Sequence, residues 1–502
     1  MTYTNATHGA PQEAPPLSSV AQAALYFQTA TSAPAGTRRL LLMSYTFPPD
    51  PAVGGLRWQQ MAGYFADHGW SIDVIARDFA RVEDLDKARL ERLPPGTRIF
   101  TVPDREPLLA KVQKVVWRPI RRVVGHLKTP ANALALSLPE MKEQRGARTF
   151  VRTYLAAMDV ARGRNWAHAA ARLASEMART QGYVAVVTSG PPHMVHEGGR
   201  LASIETGLPH VVDMRDPWSL VHRLQENIAS PLWLRLATRY ERRVMSHATL
   251  VTLNTEPTRS AMEVAYSQHA HKLAVVRNGS DTDPLPPTKR DTRFRIRFAG
   301  SIYLDRDPRT FFRAAKRLIT ELNLTPQQFL IEFIGQVYRY AGTPTLLIAQ
   351  EEGIKDYVRV SGIVPRRQAL DFLAGATMLL SLPQDSDYAI PAKLYEYVRF
   401  EAWMLVLATP GSATGQLMQD TEADVVEHEN VDEIARVLRQ RYAQFVSGER
   451  PAPIGRDGRF DRTRQAKKMM DLIVEHCMPA AERPVSAPQT PESLRQRRQT
   501  PI

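Results

Sequence analysis

Several short stretches of this chain gather side chains and glycines able to handle an anion or a hydroxyl group. The segment DYAIPAKLYEYVRF (387–400) carries Pro391, Lys393 and Glu396 at the start of a helical pattern. A lysine there can bind a diphosphate. An ionised carboxylate offers two acceptor oxygens to the vicinal hydroxyls of a ribose. The alternative is a surface Lys–Glu pair, worth a few tenths of a kcal/mol. FAGSIYLDRDPRTFF (298–312) sets Gly300 before a loop bearing Arg306 and Arg309, which can meet phosphate at a helix start. TFPPDPAVGGLRWQQ (46–60) puts Gly54 and Gly55 ahead of a helix expected from Leu56. Paired glycines let backbone amides approach a ligand, and the helix start favours an anion. A tight turn without a ligand is the alternative, since neither GxGxxG nor GxxxxGK[ST] is present here.

Two further loops carry groups suited to proton or hydroxyl chemistry. DMRDPW (213–218) clusters Asp213, Arg215, Asp216 and Trp218. Two acids flanking an arginine could orient a sugar hydroxyl or accept a proton; a buried Asp–Arg pair is the alternative. GPPHMVHEGG (190–199) places His193 and His196 at a helix start, as an acid or base or simply as capping and surface histidines. The acid pairs in DTD (281–283) and DSD (385–387) are three-residue matches to metal motifs and read better as turn acids, so no metal site is expected.

The elements that position these loops follow from apolar patterning. RLLLMSY (39–45), SIDVIAR (71–77), YVAVVTS (183–189), HVVDM (210–214) and ATLVTLN (248–254) read as buried strands with helices between them. The alternation resumes with RIRFAG (295–300), FLIEFIG (329–335), YVRVSG (357–362), ATMLLSL (376–382) and WMLVLAT (403–409). Continuous apolar strands separated by helices imply parallel sheets covered on both faces. The expected fold class is therefore α/β, with two doubly wound domains. The expected divisions are a disordered tail (1–36), an N-terminal domain (37–285) with a basic insertion (about 105–165), and a C-terminal domain (286–455). A last helix (456–478) and a second disordered tail (479–502) complete the chain. The join falls near the Pro-rich DTDPLPPTKRDT (281–292).

Composition narrows the function classes. The chain has 502 residues, 43% hydrophobic and 23% charged, so wholesale disorder is excluded. Its single cysteine, Cys477, rules out a disulfide framework. No stretch reaches the roughly 18 apolar residues of a membrane span, and the first residues do not resemble a secretory leader. A cytoplasmic protein is expected. The net charge of +13 suits phosphorylated ligands, anionic membrane or nucleic acid. Residues 105–164 hold 13 basic and 4 acidic residues. Within them, 107–128 reads as a basic amphipathic helix suited to an anionic membrane surface, or as a crossover helix with a solvated basic face. It lacks interleaved aromatics, so nucleic acid is not an expected partner.

Taken in order, FPP, GG, TSGPPH, DMRDPW, RNGSD, FAGS and IPAKLYEY resemble glycosyltransferases of the family-4 type with the GT-B fold, closest to those that build bacterial exopolysaccharide and O-antigen chains. The resemblance spans about residues 39–440. It implies two Rossmann-like domains facing a cleft, with the nucleotide on the C-terminal domain and the last helix crossing back to the N-terminal one. It also implies sugar transfer with retention, without metal or cofactor, from a nucleoside-diphosphate sugar to a lipid-linked or oligosaccharide acceptor. Gly54 and Gly55 resemble the glycine loop near donor phosphates and acceptor. Arg306, six residues after Gly300, falls where such enzymes carry a phosphate-binding lysine. Lys393 falls with it at the diphosphate. Glu396 resembles the second Glu of the E-x7-E pattern, which holds the ribose; Tyr388 stands in place of the first. The family's frequent histidine after the fourth strand is not evident, and Asp213 or Asp216 occupies that neighbourhood. Asp213, Arg215 and Asp216 would then orient the acceptor, with the enzyme peripheral at the inner face of the membrane. A nucleotide-sugar epimerase of the same fold and a non-catalytic scaffold are the rival readings.

Overall fold

The computed structural model describes residues 16–34, 36–107, 145–220, 230–281, 283–303, 306–383 and 386–483. The chain forms two α/β domains. The N-terminal sheet contains β1 (Leu25–Gln28), β2 (Arg38–Ser44), β3 (Trp70–Arg77), β4 (Arg98–Val102), β5 (Ala185–Gly190), β6 (His210–Met214), β7 (Leu250–Leu253) and β8 (Leu273–Val275). Its order is β1-β4-β3-β2-β5-β6-β7-β8, parallel except for β1. The C-terminal domain adds β9 (Phe294–Ser301), β10 (Phe329–Gln336), β11 and β12 (the two-residue hairpin strands Arg339–Tyr340 and Thr343–Pro344), β13 (Val358–Ser361), β14 (Met378–Ser381), β15 (Trp403–Leu407) and β16 (Asp424–Val426). Its six-stranded parallel sheet runs β13-β10-β9-β14-β15-β16.

Strand periodicity explains the layering. In β2, Leu40 and Leu42 face one side, against Met61, Phe65 and Met469, while Leu41 and Met43 face the other, against Trp166 and Ala170. Both sides are covered, so all four are fully buried. In β9, Phe294, Ile296 and Phe298 pack with Phe311, Phe312 and Leu318 of the helix Arg309–Glu321. The C-terminal helix Arg462–Cys477 buries Ala466, Met469 and Ile473 in the N-terminal domain, against the helix Leu56–Asp67. The chain thus crosses between domains twice, and the two crossings lie side by side at Ser280 and Asp461. Ser280 N–H donates to the Phe460 carbonyl at 2.7 Å, and Arg462 N–H to the Ser280 carbonyl at 3.0 Å.

Two sequence expectations change here. The supposed tail before residue 37 contains the helix Ser19–Ala24, capped by Ser18, and the edge strand β1, which pairs antiparallel with β4. Its Ala-rich composition hid a short helix whose Ala21 is fully buried. The strand RIFTV (98–102), β4, was not anticipated either; it is only five residues long. The basic segment 107–128 lies outside the described residues but for Pro107. Among the described residues, no helix is long and apolar enough to cross a membrane.

Candidate functional site

In a doubly wound sheet the ligand crevice forms where strand order reverses, beyond the carboxyl ends of two adjacent strands. The reversal falls between β2 and β5 in the N-terminal domain and between β9 and β14 in the C-terminal one. The loops leaving these four strands carry Gly54, Gly55, His193, Gly300, Arg306, Lys393 and Glu396. Topology therefore brings the donor-binding candidates to two crevice edges.

At the C-terminal edge, Gly300 has φ +145°, a conformation open to glycine, and pairs with Gly335 of β10. A Cβ on Gly335 would lie 2.1 Å from the Gly300 carbonyl oxygen, so the two backbones can pass only because Gly335 lacks a side chain. Lys393 begins the short helix Ala392–Tyr397, which Pro391 caps. Its Nζ stands 3.6 Å from the centre of the Phe298 ring. That amine is buried and has no hydrogen-bond partner among the described residues. Burial, and secondarily the charge of Arg306, holds it well below the ordinary lysine range. Arg306 lies over the Tyr303 ring at 4.3 Å and donates Nη1–H to the Ser301 carbonyl at 3.0 Å. Arg306 and a buried lysine amine with no acceptor among the described residues form an arrangement that a polyanion completes, since its charge would favour the protonated lysine.

Lys393 and Glu396 do not pair with each other. Glu396 instead accepts from Arg366 Nη2 at 2.8 Å. Burial pushes its carboxyl up, against the opposing pull of Arg366. Arg366 also reaches Asp281 at 3.1 Å, and Asp281 meets Arg462 at 3.0 Å and the Gln60 amide. This chain of contacts joins both domains and both crossings. Arg366 was not foreseen, because its partners lie far away in sequence. The loop before Lys393 is held from two sides. Ala413 N–H donates to the Asp387 carbonyl at 2.7 Å, and Thr255 Oγ1 of the N-terminal domain donates to the Tyr388 carbonyl at 2.9 Å. Tyr388, at the position of the expected first Glu, thus contributes its backbone to the contact between domains.

At the N-terminal edge the glycines serve packing. A Cβ on Gly55 would sit 2.9 Å from Phe47 Cα, and one on Gly54 would sit 2.6 Å from Thr46 Oγ1. Arg215 Nη1–H donates to the Gly54 carbonyl at 2.9 Å, and Nε–H to the Gly190 carbonyl at 2.8 Å. Arg215 is therefore the clamp between the β2 and β5 exit loops.

The three residues expected to orient an acceptor do not converge. Asp213, in β6, is 1% exposed. Its carboxylate accepts from Arg57 Nε and Nη2 at 3.0 and 3.1 Å, Trp58 Nε1 at 2.9 Å, Ser189 Oγ at 3.0 Å and Thr252 Oγ1 at 3.1 Å. Burial alone would raise its carboxyl; the charge and hydrogen bonds of Arg57, with the Arg215 charge and the Trp58 N–H, together outweigh this and hold it below the usual carboxylate range. Asp213 is the buried counter-ion of Arg57, with no surface left for a substrate. Arg57 continues to the Val276 carbonyl at 2.7 Å and the Arg277 carbonyl at 2.8 Å, fixing the helix Leu56–Asp67 to the first interdomain crossing. Asp216, beyond the strand end, is exposed.

His193 gains importance. With β4 counted, the fourth parallel strand of the chain is β5, and its exit loop carries His193. The reading that placed no histidine after the fourth strand is corrected: it omitted β4. His193 occupies the cap position of the helix Met194–Thr206 without capping it. Its ring stacks on Trp218 at 5.5 Å, and its Nδ1 is buried without a partner among the described residues. Burial, then Arg215, pushes it down to about 3, so it is neutral near pH 7. His196 is fully buried, neither capping nor at the surface, with Nδ1 2.9 Å from Thr188 Oγ1.

No protein-family model matches the chain, and no curated protein matches it by sequence. Solved structures do match. The chain is similar to sucrose-phosphate synthase from Thermosynechococcus elongatus (TM-score 0.53, 13% identity), over 87% of this chain and 98% of that one. It is similar to a UDP-forming α,α-trehalose-phosphate synthase from Burkholderia xenovorans (TM-score 0.52, 12% identity), over 88% and 100%. It also resembles the S. aureus protein TarM, solved as a mutant with UDP and α-GlcNAc-glycerol (TM-score 0.53, 9% identity), over 87% and 100%. The shared architecture is the GT-B fold, two Rossmann-like domains across a cleft.

Proposed function

We propose that this chain is a glycosyltransferase of the family-4 type that moves a sugar from a nucleoside-diphosphate sugar to a lipid-linked or glycan acceptor in cell-surface polysaccharide synthesis. The observation that carries the reading is Lys393, a buried amine with no acceptor among the described residues, close to Arg306 at the reversal point of the C-terminal sheet. A donor diphosphate supplies the missing negative charge. The relatives by fold support it, since UDP is bound or formed by two of them.

In this reading the bond between the anomeric carbon and the diphosphate oxygen breaks, and the acceptor oxygen bonds to that carbon with retention. The acceptor proton passes to the departing diphosphate. Lys393 and Arg306 stabilise the charge growing on that leaving group, which is where fixed charge contributes most. Glu396 accepts from the ribose hydroxyls. His193, neutral, offers a hydrogen bond to a sugar hydroxyl and cannot serve as a cationic acid at neutral pH. No metal or further cofactor has a part in these steps. The protein works in the cytoplasm at the inner membrane face, with 107–128 as its basic contact.

Product analysis tests the reaction class. Incubation of UDP- and GDP-sugars with and without glycan acceptors should yield free nucleoside diphosphate and an extended acceptor. An isomerised nucleotide sugar formed from donor alone would replace transfer with epimerisation.

A further inference from the structure

A cavity of about 340 Å³ opens next to the N-terminal reversal point, and every residue lining it belongs to the N-terminal domain. Its size suits a small-molecule ligand. One wall is a stack of rings, His193 on Trp218 at 5.5 Å and Trp218 on Tyr240 at 6.4 Å, nearly parallel. The opposite side carries Tyr45 edge-on to Trp166 at 5.2 Å. Trp166 is 2% exposed, and its indole N–H has no hydrogen-bond partner among the described residues. With His193 Nδ1, two of the eleven buried side-chain polar atoms that lack partners among the described residues lie around this one cavity, and such groups in folded proteins are mostly satisfied.

The charges around the cavity point the same way. Arg162 is held by Asp104, with Nε 2.8 Å from its carboxylate, and the Tyr45 hydroxyl donates to that same carboxylate at 2.7 Å. Asp159 stands at the surface, 3.3 Å from the indole nitrogen of Trp233. Among the described residues lining the cavity, two acids, Asp104 and Asp159, face one arginine, Arg162. Such a lining repels phosphate. It offers flat apolar faces and hydrogen-bonding groups to a neutral, hydroxyl-bearing ring.

We propose that this cavity takes an uncharged pyranose ring of the acceptor and discriminates against a phosphorylated one. The proposal rests on the glycosyltransferase reading above for the word acceptor, but the binding itself can be measured without turnover. Ligand-observed saturation-transfer NMR on the full chain, with methyl hexosides of gluco, galacto and manno configuration and with the matching hexose 6-phosphates, reads it directly.

At least one methyl hexoside should bind, and its 6-phosphate should bind at least tenfold more weakly. Trp233→Ala, at a half-exposed position, should weaken hexoside binding about tenfold with an unchanged melting temperature. Asp159→Asn, also at the surface, should narrow the preference over phosphate. The proposal is overturned if no hexoside binds, if the phosphate binds as tightly, or if Trp233→Ala binds as wild type. A UDP titration of the same sample separates the two readings. UDP binding without hexoside binding sinks this cavity's role alone; hexoside binding without UDP binding upholds the cavity and sinks the donor site.

Discussion

Lys393 Nζ lies 3.6 Å from the centre of the Phe298 ring and has no hydrogen-bond acceptor among the described residues. A ring face attracts a cation, but it does not replace the water the ammonium has lost. The ligand-free protein therefore carries a local cost at the point where the two exit loops of the C-terminal sheet meet.

That cost has a consequence for stability. Lys393→Met keeps the stem and removes a buried polar amine that has no partner among the described residues. It should raise the melting temperature of the ligand-free protein while weakening nucleoside-diphosphate binding by at least about tenfold. Scanning fluorimetry and calorimetry on the same variant read both. A lower melting temperature with unaltered binding contradicts the assignment.

Lys393 also predicts a proton signature. Its ammonium is disfavoured in the free protein, and a diphosphate beside it would restore the charged form, so binding takes up protons. At about pH 8 the nucleotide is already fully ionised, and the lysine is the group expected to gain the proton. Calorimetry in buffers of different ionisation enthalpy should show uptake in wild type and none in Lys393→Met. Proton release, or uptake persisting in the variant, runs against it.

Glu396 is tested by removing one hydroxyl. Wild type should prefer a ribonucleoside diphosphate over its 2′-deoxy counterpart, and Glu396→Gln should lose most of that preference by weakening the ribose contact. Equal discrimination by both proteins would move the ribose elsewhere. Arg366→Ala supplies a comparison, since it removes the ion pair Glu396 makes in the free state while leaving the Glu396 carboxylate in place; it also breaks the Arg366–Asp281 contact.

Asp213 makes a prediction about folding. Asp213→Asn leaves Arg57 buried without its counter-ion and should cost about 3–5 kcal/mol of stability. The folded carboxyl is held below its unfolded value. Its contribution is therefore present above the ordinary aspartate range and is lost as pH falls through the lower folded value. Denaturant titrations across acidic pH should show that loss in wild type and a shallower one in Asp213→Asn. A fully stable Asp213→Asn variant that had lost only acceptor binding would restore the substrate role instead.

The sheet strands were legible because both faces are covered, so apolar runs such as RLLLMS stand out without any partner in view. β4 escaped notice because five residues, RIFTV, carry little periodic signal. That omission displaced the strand count and hid the position of His193. Lys393, Glu396, Gly300 and Arg306 lie at or just beyond the ends of strands that could be read one segment at a time. Asp213 was misread for a physical reason. Its partner Arg57 lies 156 residues away, and no local spacing distinguishes an acid aimed into a cleft from one aimed into the sheet. Arg366 was missed likewise, for its contacts with Asp281 and Glu396 exist only once the domains meet.

Calorimetric titration of the full chain with UDP, GDP and their sugars tests the central claim most directly. One diphosphate should bind tightly to wild type, with the affinity lost in Lys393→Met and reduced in Arg306→Ala. A folded protein that binds neither diphosphate, or binds one equally well in both variants, would contradict a donor site at Lys393 and leave the scaffold reading in its place.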